Sequence, residues 1–326
     1  MLRTVAAFAL TALTTTFTMA NAEDEPAVLT FGIISTESSV NLKKDFEPLR
    51  VDLEAKIGKK VDLFFAPDYN GVVEAMRFNK VQLGWFGNAS AIDAVDRGNG
   101  EVFVQVVDKD GNPGYWSLII VHKDSPISSL EELLAKRKEI NFSLGDPSST
   151  SGTLVPGYYA FGRNGVNPAK DFKACRNANH EANAMAVANK HVDASTFNTE
   201  AMFHLERKQP ESAKNIKAIW KSPLIASDPL VMRKDLSDTT RAKIREFFIS
   251  YGKTDEQKAK IANLKWSGFK ESSNAQLVPY RLIRVLKEKA KLESDSKIPQ
   301  ADKQAKLDEL AKKQAELEVE SKKLGM

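Results

Sequence analysis

The sequence predicts an α/β protein built as two lobes. Three observations point there. β-branched apolar runs alternate with helical stretches from residue 28 onward, and 326 residues exceed what one core usually fills. In addition, two apolar stretches, over residues 101–122 and 218–231, are interrupted by turn residues as chain crossings between lobes would be. Alternation of strand and helix implies a parallel sheet, whose ligands sit in the loops beyond the strand ends.

Residues 1–22 carry one charge, Arg3, then an apolar, threonine-rich stretch over 5–19 and the small residues Ala20, Asn21 and Ala22. This is the pattern of a secretory signal peptide cut after Ala22. The stretch is shorter than a membrane span, and Glu23, Asp24 and Glu25 follow at once, so cleavage rather than anchoring is expected. Charged residues break up every later apolar segment, so no other span is expected. Without a cysteine at the cleavage site for a lipid anchor, a free protein of the Gram-negative periplasm is expected. The single Cys175 has no intrachain partner and reads as a buried thiol.

Residues 28–35 read as a buried strand, 41–57 as a helix, 61–66 as a second strand and 70–79 as a second helix, followed by apolar 81–86. Strands over 101–107 and 116–122 flank the turn-rich 108–114, the first expected crossing. Helix 129–136, strand 140–144, a helix from about Ser151 and a helix over 181–189 continue the alternation. The second crossing is expected over 218–231, where Pro223 and Pro229 break an apolar run. The loops that should carry function are then 36–39, 67–69, 87–90, 146–151 and 179–183. From 281 to 326 no aromatic residue occurs, Leu310, Leu317 and Leu324 recur at heptad spacing, and Pro299 is a break. That tail reads equally as a helix packed on its own lobe or as an arm for a homodimer.

Lys and Arg number 47 against 43 Asp and Glu, and the two signs are interleaved, which excludes a nucleic-acid face. Loss of the leader removes Arg3 and no acid, leaving 46 against 43, a net charge of +3.

The most informative segment is Gly145-Asp-Pro-Ser-Ser-Thr-Ser-Gly152, between a strand and a helix. Alone it reads first as an N-cap, but four consecutive hydroxyls exceed what a cap needs. Hydroxyls together with unpaired first-turn amides suit an oxyanion without any metal. Pro156 should bend the helix that follows. His180, at another helix start, reads first as a structural histidine and second as a donor to the same anion. Glu200 reads as a surface helix carboxylate and Asp228 as a turn former. Tyr69, Trp85, Tyr115 and Trp116 suit either core or pocket wall. His122, His191 and His204 show no ligand spacing with one another or with Cys175, so no metal and no cofactor are expected. There is no Gly-x-Ser-x-Gly elbow, phosphate loop, His-Glu-x-x-His or dinucleotide fingerprint, which argues for capture rather than turnover.

These segments, with Phe31-Gly-Ile-Ile-Ser-Thr-Glu-Ser38, Phe65-Ala-Pro-Asp-Tyr69, Met76-Arg-Phe-Asn-Lys80, Pro113-Gly-Tyr-Trp-Ser117, Val155-Pro-Gly-Tyr-Tyr159 and Ile219-Trp-Lys-Ser-Pro-Leu224, resemble the periplasmic phosphonate-binding proteins of ABC importers over residues 29–278. The resemblance implies a type II periplasmic binding fold with a two-strand hinge. Its lobe 1 would comprise residues 23–113 and 225–278, its lobe 2 residues 114–224, and its helical tail residues 279–326. It implies phosphonate oxygens held by Tyr69, Ser149, Thr150, Ser151 and His180. The ammonium of a ligand such as 2-aminoethylphosphonate would meet Glu200 and Asp228, with Tyr115 completing the wall. It also implies delivery to a membrane permease. Ala182 stands where relatives carry threonine, which removes one contact. The rival readings are a binder of phosphate or phosphite and a periplasmic hydrolase.

Overall fold

The computed structural model describes residues 25–294 and 298–325, so the leader expected over residues 1–22 lies outside the described residues. The chain opens with β1 (Val28–Ile33), α1 (Ser39–Ile57), β2 (Lys60–Phe65), α2 (Tyr69–Arg77), β3 (Leu83–Trp85), α3 (Asn88–Arg97) and β4 (Gly100–Asp108). It passes through β5 (Gly114–Tyr115) into β6 (Ser117–His122), α4 (Leu130–Ala135) and β7 (Asn141–Leu144). Two wide turns, Thr150–Leu154 and Gly157–Phe161, lead to α5 (Pro168–Asp171), β8 (Ala174–Asn177), α6 (His180–Ala188), β9 (Ala194–Asn198), α7 (Thr199–Lys208), α8 (Pro210–Ala213) and β10 (Ile216–Lys221). It returns through β11 (Ile225–Ala226) to β12 (Pro229–Arg233), α9 (Asp238–Ser250), α10 (Asp255–Ile261), β13 (Trp266–Glu271), α11 (Val278–Ser294) and α12 (Gln300–Lys323).

The strands form two main sheets, ordered β13-β4-β12-β3-β1-β2 and β10-β6-β9-β7-β8. Both are mixed rather than purely parallel. β1 runs parallel to β2 and β3, and β7 to β8 and β9, as the alternation implies. The crossings bring in antiparallel members: β12 between β3 and β4, and β6 between β9 and β10. Each crossing leaves one sheet and enters the other, and the two pair antiparallel, Tyr115 opposite Ile225 and Gly114 opposite Ala226. A Cβ on Gly114 would lie 1.9 Å from the Ile225 carbonyl oxygen, so only glycine lets the crossings touch. Pro223 separates β10 from β11 and Pro229 opens β12, as edge and first-residue prolines do.

Core placement follows strand periodicity. In β6, Leu118 and Ile120 join Val187 and Phe197 on one side of the second sheet, while Ile119 and Val121 join Phe142 and Phe161 on the other. The first sheet is buried by α1, whose Leu42, Phe46, Leu49 and Leu53 are at most 2% exposed. Cys175 is half-buried opposite Phe142, and burial raises its thiol pKa.

Two expectations are corrected in detail. The loop at 87–90 begins α3, with Gly87 as its cap. The helix expected from Ser151 is two π-type turns on either side of Pro156, because a proline there removes a donor and the chain widens to i→i+5 bonds. In the tail, Leu310 and Leu317 pack against Val278, Leu282 and Val285 of the same chain, so α11 and α12 form a hairpin that uses two of the heptad leucines internally. Among the described residues, no helix is long and apolar enough to cross a membrane.

Candidate functional site

β7 ends at Leu144, and the chain from Gly145 returns within seven residues so that the Gly145 amide donates to the Gly152 carbonyl at 3.0 Å. A Cβ on Gly145 would stand 2.4 Å from Gly152 Cα, so the loop closes only with glycine at both ends. Inside it Ser149, Thr150 and Ser151 are at most 2% exposed. Each hydroxyl oxygen is held as an acceptor by an N–H group. Ser149 Oγ receives the Gly152 amide at 2.9 Å, Thr150 Oγ1 the Ala89 amide of the first lobe at 2.8 Å, and Ser151 Oγ the Asn198 side-chain amide at 2.9 Å. A hydroxyl fixed as acceptor keeps its own proton to give. Three such O–H groups therefore converge on the cleft.

His180 opens α6 from its Asn179 cap and is 2% exposed. Its Nε2 lies 3.2 Å from Asn198 Nδ2 and 3.5 Å from both Ser149 Oγ and Ser151 Oγ. Burial pushes its pKa down to about 4, so the ring is neutral at pH 7. Tyr69, the first residue of α2, is 2% exposed and its amide donates to Asp146 of the other lobe at 3.1 Å. Burial, then the Asp146 and Asp228 charges, hold its phenol pKa far above the usual value, so it too remains a donor.

The far end of the cleft is acidic. Tyr115 donates to Asp228 Oδ1 at 2.9 Å, and Asp228 is 5% exposed. Glu200, at the second position of α7, lines the same cavity. Burial raises Glu200 to about 7 against the opposing attraction of Lys265. Asp228 is raised well above the usual carboxylate range by burial and then by the Glu200 charge, with the Tyr115 bond opposing. With Asp228 buried and Glu200 half-buried, both carboxyls are pushed toward their neutral forms.

Above the cavity the lobes are tied together. Lys208 of α7 bonds Glu37 at 2.5 Å and Asp45 at 2.8 Å, and Arg207 bonds Asp45 at 2.9 Å. Glu181 accepts from the Ser38 amide at 2.8 Å and from Gln209 at 3.2 Å. Among the described residues, Glu37, Asp45 and His204 form one group with metal-donor atoms within 4.8 Å of one another. Lys208 already bonds both carboxylates, so an ammonium balances the charge a metal would.

All eight residues singled out from the sequence, Tyr69, Tyr115, Ser149, Thr150, Ser151, His180, Glu200 and Asp228, line this one cavity. Asp228 is thus more than a turn former, and Glu200 faces the cleft. Trp85 lines it as well, whereas Trp116 lies outside it, stacked under Lys221 at 3.9 Å. Sequence reading missed Asn198, which ends β9 and lies beside both Ser151 and His180, and, although loop 36–39 was marked, the inter-lobe pairing of Glu37 and Asp45 with Lys208. The rule that strand ends carry function would have found Asn198; nothing local marks a charge that pairs across 160 residues.

Residues 31–277 match the family model described as the phosphonate periplasmic substrate-binding protein of an ABC transporter. The chain is 54% identical over 298 residues to the phosphonates-binding periplasmic protein of Escherichia coli K12, covering 91% of this chain and 88% of that protein. A crystal structure of a binding-protein component of an ABC phosphonate transporter from Pseudomonas aeruginosa superposes with a TM-score of 0.89 at 50% identity, covering 93% of this chain and 100% of that one. A phosphate-import protein of Mycolicibacterium smegmatis is 29% identical over 270 residues, 80% of this chain and 81% of that protein.

Proposed function

The chain belongs to the periplasmic substrate-binding proteins of phosphonate ABC transporters and has their type II periplasmic binding fold; on that premise we propose that its ligand is an aminoalkylphosphonate, with 2-aminoethylphosphonate the preferred size. It is a binding component, not an enzyme. In this reading the phosphonate oxygens accept from Tyr69, Ser149, Thr150, Ser151 and His180, and the ammonium lies between Glu200 and Asp228. The Escherichia coli relative is named for phosphonates, which supports the cradle and leaves the other end to be read from chemistry.

The observation that carries the proposal is the acidic pair. A carboxylate pair, Asp228 buried and Glu200 half-buried, in one cavity with an oxyanion cradle is unfavourable to an anion alone and favourable to a zwitterion that pairs both ends as the cleft excludes water. Phosphate or phosphite would fill the cradle and leave Glu200 and Asp228 without a cation. Those anions are the rival reading, and the Mycolicibacterium relative is named for phosphate import.

Titration calorimetry with 2-aminoethylphosphonate, methylphosphonate and phosphate decides between them. The aminated ligand should bind tighter by a few kcal/mol, at least tenfold in Kd. Equal or tighter binding of methylphosphonate or phosphate would overturn the assignment. Delivery to the membrane permease follows from the family; docking would be read by ligand-dependent transport in reconstituted vesicles.

A further inference from the structure

The loop that presents the hydroxyls holds a buried carboxylate that the proposed function leaves unused. Asp146 is 9% exposed and lies behind the cavity wall, not on it. Its two oxygens do different things. Oδ1 accepts the Ser148 amide at 2.7 Å, an Asx turn that, with the Ser149 amide on the Asp146 carbonyl at 2.9 Å, shapes the approach to Ser149, Thr150 and Ser151. Oδ2 accepts the Tyr69 amide at 3.1 Å, which belongs to the other lobe. Tyr69 is the first residue of α2, so its N–H has no acceptor inside the helix and takes one across the cleft instead. The same loop takes a second first-turn amide of that lobe, Ala89 of α3, on Thr150 Oγ1 at 2.8 Å.

A carboxylate in the loop of an oxyanion cradle opposes the anion, so its presence there calls for a reason. Burial raises the Asp146 pKa, the Ser148 and Tyr69 amides lower it, and the Asp68 charge raises it again. What needs a carboxylate is the pair of N–H groups. An asparagine has one acceptor oxygen, and its own NH2 group would face the second amide. We propose that Asp146 is a positioning residue for the phosphonate site: by dividing one carboxylate between the cradle turn and the Tyr69 backbone, it sets where the Tyr69 phenol meets the ligand without touching the ligand itself. This rests on the functional reading above, in which Tyr69 donates to a phosphonate oxygen, and adds the group that holds that donor in place. The tie spans the lobes, so it forms as they close and joins the two halves of the phosphonate site to one residue.

A double-mutant cycle in titration calorimetry with 2-aminoethylphosphonate tests this on the full chain, with Tyr69→Phe, Asp146→Asn and the two combined. Asp146→Asn keeps an acceptor for the Ser148 turn and should weaken binding by about tenfold. In the Tyr69→Phe background the same change should cost at most about twofold, because the phenol it positions is gone. A residue that only shaped the turn would cost as much without the phenol as with it, so a larger loss there, or undiminished binding by Asp146→Asn alone, overturns the proposal. Should Asp146→Asn not fold, Asp146→Ser, whose hydroxyl also accepts at such a turn, runs the same cycle. Failure of the wild type to bind 2-aminoethylphosphonate, or Tyr69→Phe binding as tightly as the wild type, would instead overturn the functional reading beneath it, at the ligand or at Tyr69 respectively, which separates the two claims.

Discussion

At the scale of single residues the two ends of the site should behave differently. His180 is neutral and lies beside Ser149 and Ser151, so under the proposed assignment His180→Asn is expected to weaken 2-aminoethylphosphonate and methylphosphonate alike, by about tenfold for one lost hydrogen bond. Glu200→Gln should weaken only the aminated ligand, by roughly 10- to 100-fold. Calorimetric Kd values for both ligands check the pair. Glu200 also gives a pH signature. Raised to about 7 in the unliganded cleft, it is partly protonated near pH 6.5 and must ionise to meet an ammonium. Binding of the aminated ligand should therefore release protons, and affinity should rise from pH 5.5 to 8. Calorimetry in two buffers of different ionisation enthalpy measures that release, which should shrink in Glu200→Gln. The same raised carboxyl makes the folded state bind more protons than the unfolded one between about 4.5 and 7, so its contribution to stability fades as pH rises through 7.

At the scale of elements, the loop that holds the hydroxyls is set by the approach of Gly145 to Gly152. Gly152→Ala would place a Cβ 2.7 Å from Gly145 Cα and 2.9 Å from Ser149 Oγ, so the cradle must open. A loss of about 1–3 kcal/mol of stability and weaker binding of every phosphonate are expected, read by thermal melting and calorimetry. This loop was legible in the sequence because its signal is local: glycine at both ends, four hydroxyls between, a strand before. Strands β1 and β2 and helices α1, α2 and α6 were legible for the same reason. The antiparallel strand β13 was not, since its partner β4 is set by the crossing and not by its own pattern. Nor was α3, whose glycine start resembles a turn. The tail divides similarly. α11 is tied to the body by Tyr280, which accepts the Ala226 amide at 2.7 Å, and by Arg284 on Asp93 at 2.8 Å, while α12 packs on α11. Removing residues 299–326 should leave ligand Kd within about twofold, because additivity holds for distant sites.

For the whole molecule, the charges that join the lobes are carried by long-range pairs no sequence window contains. Lys208 bridges Glu37 and Asp45 at the mouth of the cleft, all three largely buried. Lys208→Met should leave two buried carboxylates without their cation and favour the open form. Faster ligand release in stopped flow and a larger radius of gyration for the unliganded variant by X-ray scattering are the expected results; unchanged values for both would remove the bridge from any role in closure. The crossing strands carry a different consequence. Tyr115 stands on one of them and Asp228 directly precedes β12 on the other, so the bond between them sits at the pivot and not on either jaw. Under the proposed assignment, an amine is sensed at the axle of the clamp and a phosphonate by its teeth. An impostor lacking nitrogen could sit between the teeth and leave the axle slack, which makes being occupied and being shut two separate states. A membrane partner that feels only shape would then ignore cargo of the wrong kind, even when that cargo is aboard.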